Sequence, residues 1–210
     1  MTGTKRTRII GITGRVGSGK SKVMDHLEQN YDCIVIKADE VARDLQSPGG
    51  ACYEAVSELV GRDCLCHDGQ LDRGKMALRI FNDGELLRKI NAAVHPAVRE
   101  EILKMIENAG EKDFVFIESA ILIDSGLTDI CDEIWNIRVD EDVRRKRLSL
   151  SRGYSDEKTD SILSKQMSEA KLEEACHISF DNSGSFEDTA GRIDEYLGRA
   201  RIKKSGVRGL

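Results

Sequence analysis

Aromatic side chains make up only 5% of these 210 residues, with a single tryptophan, Trp135. A surface that binds nucleic acid by base stacking needs more of them. Excess positive charge is missing too: the net charge is −5. Broad attraction to nucleic acid or to an anionic membrane is therefore not expected. No apolar run reaches the roughly 18 residues that a membrane span needs. The start, MTGTKRTRIIGIT, leads straight into a strand pattern without a separate apolar core and cleavage site, so a signal peptide is not expected. Only two prolines interrupt the chain, and it carries no linker-like tract, internal repeat or low-complexity segment. The six cysteines are irregularly spaced in a chain too large for a disulfide scaffold. They read as reduced thiols of a cytoplasmic protein. CLCH (64–67) lacks the paired spacing of a zinc site. The basic end, RIKKSGVRGL, reads as a frayed tail.

What is present is ordinary in bulk and specific in detail. Forty per cent hydrophobic residues and 33% charged residues suit one substantial globular domain. Near the start stands GITGRVGSGKS, with Gly14, four residues, then Gly19-Lys20-Ser21. Glycines at this spacing let successive backbone N–H groups converge on phosphate oxygens. The helix opening near Lys20 adds its positive end. Lys20 is expected to reach the β and γ phosphates, and the Ser21 hydroxyl to ligate Mg²⁺. The motif follows a strand pattern and precedes a helical one, which is the context it demands. It announces a bound nucleotide without saying how that nucleotide is used.

Apolar runs at 8–13, 33–37, 114–118, 134–139 and 177–180 read as five strands separated by helices. That alternation predicts an α/β fold with a parallel sheet and right-handed crossovers. Residues 21–30 read as a helix with Val23 and Leu27 on one face. The interval from about 50 to 110 is longer than one crossover helix requires, so it predicts a helical outgrowth. Within it Gly61 ends a helix, HDG (67–69) turns, Asp83 caps, and His95-Pro96 breaks the chain so that Pro96 opens the next helix. Ser185 with Asp188 fits a capping box for the last helix.

Three further features carry alternatives. Asp39 follows the second strand, where it is either a helix cap or the group that orients an acceptor hydroxyl. Glu118 ends the third strand as a Mg²⁺ ligand, direct or through water, or as a sheet-end ion-pair partner. DVRRKRLSLSR (142–152) puts Arg144 and Arg147 on one helix face. It is either a solvated basic face or a lid whose arginines close on a transferring phosphoryl group. A GTPase switch would need N-K-x-D, and no such string occurs.

In order along the chain, GITGRVGSGKS, KADEVARDLQSPGG, DGQLDR, VHP, IESAILIDSGL, VRRKR…SKQMS and FDNSG resemble the motifs of dephospho-CoA kinases. The resemblance covers nearly the whole chain. It implies a P-loop kinase core with five parallel strands in order 2-3-1-4-5, a helical CoA-binding outgrowth and a helical lid. In residue numbers the core would be 1–48, 111–140 and 177–203, the acceptor region 49–110 and the lid 141–176 of a single 1–210 domain. The implied activity is transfer from ATP, with Mg²⁺, to the ribose 3′-hydroxyl of dephospho-CoA. Asp39, Lys20 and Arg147 would then be catalytic. Gly14, Arg15, Val16, Gly17, Ser18, Gly19, Lys20, Ser21 and Asn182 would bind the nucleotide. Thr13, Asp39, Arg73, His95 and Glu118 would bind the acceptor, with Ser21 and Glu118 on the metal. Another small-molecule or nucleoside monophosphate kinase, or a regulatory ATPase, is the alternative. The oligomeric state is not written in any of these motifs.

The chain also departs from that pattern. Lys37 replaces the first aspartate of the D-A-D element, and along an extended strand it would share a face with Asp39 and either hold it ionised or add positive charge near the phosphates. Glu118 and Asp124 exchange the usual Asp and Glu, Ala120 replaces a proline, and His177 replaces an aspartate. Arg152 lies five positions after Arg147, where four is commoner. Arg15-Val16 stands where Gly-Ile is usual, so a side chain at position 15 must either avoid the phosphates or touch them.

Overall fold

The computed structural model describes residues 6–81 and 83–198. The expected tail at 201–210, and positions 199–203 of the expected core, lie outside the described residues. In chain order the elements are β1 (Arg8–Thr13), α1 (Lys20–Asn30), β2 (Cys33–Lys37), α2 (Ala38–Leu45), α3 (Tyr53–Val60), α4 (Arg73–Phe81), α5 (Gly84–Asn108) and β3 (Phe114–Glu118). They continue with β4 (Glu133–Arg138), α6 (Glu141–Arg152), α7 (Asp156–Leu163), α8 (Glu169–Ala175), β5 (Ile178–Asp181) and α9 (Phe186–Gly198). The chain divides into two compact units, one made of residues up to Ile36 and from Ala109 onward, the other spanning Lys37–Asn108. No helix among the described residues is long and apolar enough to cross a membrane.

The first unit is built on a five-stranded sheet of order β2-β3-β1-β4-β5, the order implied by the family resemblance. β1 runs parallel to β3 and β4, and β4 parallel to β5. The strands at 134–139 and 177–180 were each expected one residue later or earlier than observed. The pairing ladder sets their ends: Ile10 faces Glu133, and Arg138 faces Asp181. An apolar run alone does not reveal where hydrogen-bonded partners begin.

The few aromatic residues are concentrated on one face of this sheet. Phe114, Phe116, Trp135, Phe180 and Tyr196 follow one another at centroid separations of 5.0 to 5.9 Å, stacked at the Phe114 end and edge to face at the Tyr196 end. Ile10, Ile12 and Ile137 complete that layer. α1 presses Val23, Met24 and Leu27 into the same cluster. Each such side chain contributes about 1.5–3 kcal/mol by leaving water. The two facing positions expected on this helix, Val23 and Leu27, are both fully buried. α1 is also tied to α9, because Asp194 accepts hydrogen bonds from Tyr31 at 2.6 Å and pairs with His26 at 2.8 Å.

The second unit is mainly helical, with α5 packing against α2, α3 and α4. Asp83 caps α5 through the Leu86 N–H at 2.8 Å, as expected. The expected break at His95-Pro96 does not occur, and α5 runs unbroken from Gly84 to Asn108 with Pro96 inside it. Leu86, Ile90, Val94, Val98 and Ile102 form one buried stripe at four-residue spacing on both sides of the proline. Packing along that stripe outweighs the one backbone hydrogen bond that proline removes.

Candidate active site

The loop at 14–21 leaves the carboxyl end of β1 and opens α1, and its shape depends on two glycines. Gly14 has φ 145°, and a Cβ there would lie 2.3 Å from the Ile137 carbonyl oxygen. Gly19 has φ 92°, and a Cβ there would lie 2.3 Å from the Asn182 amide nitrogen. Neither position has room for a side chain, and both dihedrals favour glycine. Lys20 folds back so that its ammonium donates to the Gly14 carbonyl at 2.7 Å. It also stands 3.7 Å from the Glu118 carboxylate at the end of β3. The phosphate-loop lysine and the β3 carboxylate are thus neighbours. Ser21 is exposed in the first turn of α1.

The loop is held from behind by polar side chains. Asn182, 2% exposed, donates to the Ser18 carbonyl at 2.7 Å and accepts from the Thr189 hydroxyl at 3.1 Å. Its amide is thus held between the loop and α9. Thr13 and Ser18 are fully buried, and neither hydroxyl has a partner among the described residues. Thr13 is the last residue of β1 and lies inside the sheet.

The basic segment of α6 divides into two roles. Arg147 brings a guanidinium nitrogen to within 3.8 Å of the point where a Gly19 Cβ would sit. It has no ion-pair partner among the described residues. Arg144 was expected to share its phosphate-facing side, yet it is 1% exposed. It donates to the carbonyls of Val16 at 2.8 Å and Val139 at 3.1 Å, and to Glu169 of α8 at 3.0 Å. The other Glu169 oxygen accepts from buried Asn136 of β4 at 2.8 Å. Burial lowers the Arg144 pKa, and Glu169 opposes that shift. Arg144 is therefore a brace beneath the loop. One sequence signal pointed that way: Leu148, four residues on, is the buried face of the same helix.

Two more contacts tie the loop tip to the segment between α7 and α8. Arg15 donates to the Leu163 carbonyl at 2.7 Å, and Gln166 accepts from the Val16 N–H at 3.0 Å. Arg15 is thereby turned toward α7. Gln166 stood in the resembling motif, but nothing in the sequence pointed to its partner.

Asp39, Arg73 and His95 belong to the second unit. Asp39 is exposed in the first turn of α2. Lys37 does not partner it. The strand ends at Lys37 and the helix begins at Ala38, so the extended alternation stops before Asp39. Lys37 pairs instead with Glu40 at 3.4 Å. Arg73 opens α4 and donates to the Arg43 carbonyl at 3.4 Å. His95 is half-buried midway along α5.

Comparison with known proteins agrees with this construction. A dephospho-CoA kinase family model matches residues 8–188. A dephospho-CoA kinase of Carboxydothermus hydrogenoformans is 35% identical over 190 residues, covering 88% of this chain and 90% of that protein. One from Corynebacterium diphtheriae is 37% identical over 180 residues, covering 85% and 90%. Among solved structures, a Thermus thermophilus protein superposes with a TM-score of 0.81 at 27% identity, covering 94% of this chain and 100% of that one. A shikimate kinase from Bacteroides thetaiotaomicron shares the fold at a TM-score of 0.52 and 15% identity, covering 92% of this chain and 99% of its own. The chain belongs to the dephospho-CoA kinase family.

Proposed function

We propose that the chain transfers the γ-phosphoryl group of ATP to the ribose 3′-hydroxyl of dephospho-CoA, giving CoA and ADP, in the cytoplasm. The observation that carries this reading is the family match over residues 8–188 on a chain whose 14–21 loop is built and braced as a phosphate cradle. In the reaction a bond forms between the 3′-oxygen and the γ-phosphorus, and the bond from that phosphorus to the β–γ bridging oxygen breaks. The chain supplies positioning and charge, which is most of what phosphoryl transfer asks of a protein.

The backbone N–H groups of the loop and the Lys20 ammonium hold the phosphates. Arg147, set beside Gly19 and without an ion-pair partner among the described residues, offers positive charge to the γ-phosphoryl group as negative charge builds on its oxygens. Asp39 orients the 3′-hydroxyl and accepts its proton, and Arg73 and His95 hold the rest of the acceptor. We assign residues 49–110 to acceptor handling and 141–176 to a lid that excludes water. The Ser21 hydroxyl, next in the chain to Lys20, and the Glu118 carboxylate, 3.7 Å from the Lys20 ammonium, are hard oxygen donors, a donor set that suits Mg²⁺. They would hold it, directly or through water, and it would supply charge neutralisation at the phosphates.

ADP release measured with dephospho-CoA, AMP, other nucleosides and no acceptor tests the reading. Stimulation by dephospho-CoA alone supports it. Turnover without any acceptor points to a regulatory ATPase, and preference for AMP to a nucleoside monophosphate kinase.

A further inference from the structure

The resembling pattern has Gly-Ile where this chain has Arg15-Val16, and a glycine there makes no side-chain contact. Arg15 makes one with a helix end. Its guanidinium donates at 2.7 Å to the carbonyl of Leu163, the last residue of α7. Carbonyls in the last turn of a helix have no partner within it, and a cation there meets the negative end of the helix. The next loop residue returns the contact, because the Val16 N–H donates to the Gln166 side-chain oxygen at 3.0 Å. The Gln166 N–H in turn donates to the same Leu163 carbonyl at 3.2 Å. Two adjacent loop residues and two residues from the end of α7 thus close a ring of three hydrogen bonds.

Val16 is held on its other side as well, since Arg144 donates to its carbonyl. Both backbone polar groups of Val16 are therefore engaged by side chains of residues 141–176. An N–H given to Gln166 is not given to a phosphate oxygen, so the cradle is left to the N–H groups after Val16. Arg15 also keeps its place against a cost. Burial, and after it the Arg15 charge, lower the Arg144 pKa, while Glu169 raises it.

We infer that Arg15 and Gln166 are positioning residues for ATP, clasping the tip of the phosphate loop to the end of α7 so that the loop holds its shape before the nucleotide arrives. Arg15 acts through the loop and not by touching the phosphates. The inference rests on the function proposed above and on its lid. A site ordered in advance loses less freedom on binding. The clasp therefore serves ATP binding, and the chemical step is left to Lys20, Arg147 and Asp39.

Calorimetric ATP affinity and steady-state kinetics with dephospho-CoA test this together. Arg15→Ala and Gln166→Leu should each weaken ATP binding, and raise KM for ATP, by about three- to tenfold, the worth of one hydrogen bond. kcat and KM for dephospho-CoA should stay unchanged. Arg15→Lys, which keeps a donor, should recover part of the loss. The double variant should lose less than the product of the two single losses, because either change opens the same ring. Unchanged ATP affinity, or single losses that multiply in full, overturns the clasp. A fall in kcat as large as the rise in KM makes the two residues general supports and overturns it as well. If the unmodified chain binds ATP without phosphorylating dephospho-CoA, the functional reading falls, while the ATP affinities still judge the clasp.

Discussion

From a position 1% exposed on α6, Arg144 donates to the carbonyl oxygen of Val16 at 2.8 Å. The phosphate loop therefore does not stand on its own backbone. It rests on a guanidinium that Glu169 neutralises at 3.0 Å. The intact pair offers little net stability, because both charges lose water. Breaking it on one side is costly.

Replacing Arg144 by methionine should accordingly cost about 3–5 kcal/mol in urea unfolding. Glu169→Gln should cost less, because Glu169 is partly exposed. If the two residues act as a pair, the double variant will lose less than the sum of the single losses. Strict additivity would dismiss the coupling.

Gly19→Ala places a Cβ 2.3 Å from the Asn182 amide at φ 92°. Left-handed backbone costs a side chain about 1–2 kcal/mol, and the clash must push Asn182 away from the Ser18 carbonyl. ATP affinity should fall by at least about tenfold, read by calorimetry, while circular dichroism stays native.

Asp39→Asn should lower kcat by about 10²–10⁴-fold, the usual worth of a general base. ATP affinity should not change. Near-normal kcat in this variant would remove Asp39 from proton handling. Lys20→Ala should weaken both ATP binding and turnover.

Alkaline stability offers a pH test. Burial, with help from Asp132 and Asp129, pushes the Cys131 thiol from 9.0 up to about 12. Its contribution is present in full below the unfolded value near 9 and is lost as pH rises toward 12. Unfolding free energy should fall across that window, and Cys131→Ala should flatten the fall. An unchanged slope would sink the assignment. At pH 8 the exposed Cys66 should react with an alkylating reagent well before Cys131.

The sheet was legible in the sequence because strands buried on both faces announce themselves as apolar runs. Its strand order came from the family resemblance, since single runs do not name their neighbours. The phosphate loop was legible because its glycines and lysine are local to one another. What escaped was long-range. Arg144 finds Val16 across 128 positions, Asn182 finds Ser18 across 164, and Gln166 finds Val16 across 150. No spacing rule covers such distances. Pro96 misled for a different reason: local propensity favoured a break, and a buried stripe on both sides of it kept the helix whole. Lys37 misled because the strand ends at Lys37 and the helix begins at Ala38, two residues short of the extension the face argument required.

The aromatic layer under the loop has one more consequence. Trp135 is the only indole in the protein, and it is fully buried in the first unit. Residues Lys37–Asn108 contain none. Intrinsic fluorescence excited at the indole band therefore follows the sheet alone, whereas far-ultraviolet dichroism weighs the helices of both units. Overlaying the two denaturation curves asks whether the units melt together. Coincidence means one cooperative transition, and an earlier dichroic loss means that the helical unit lets go first.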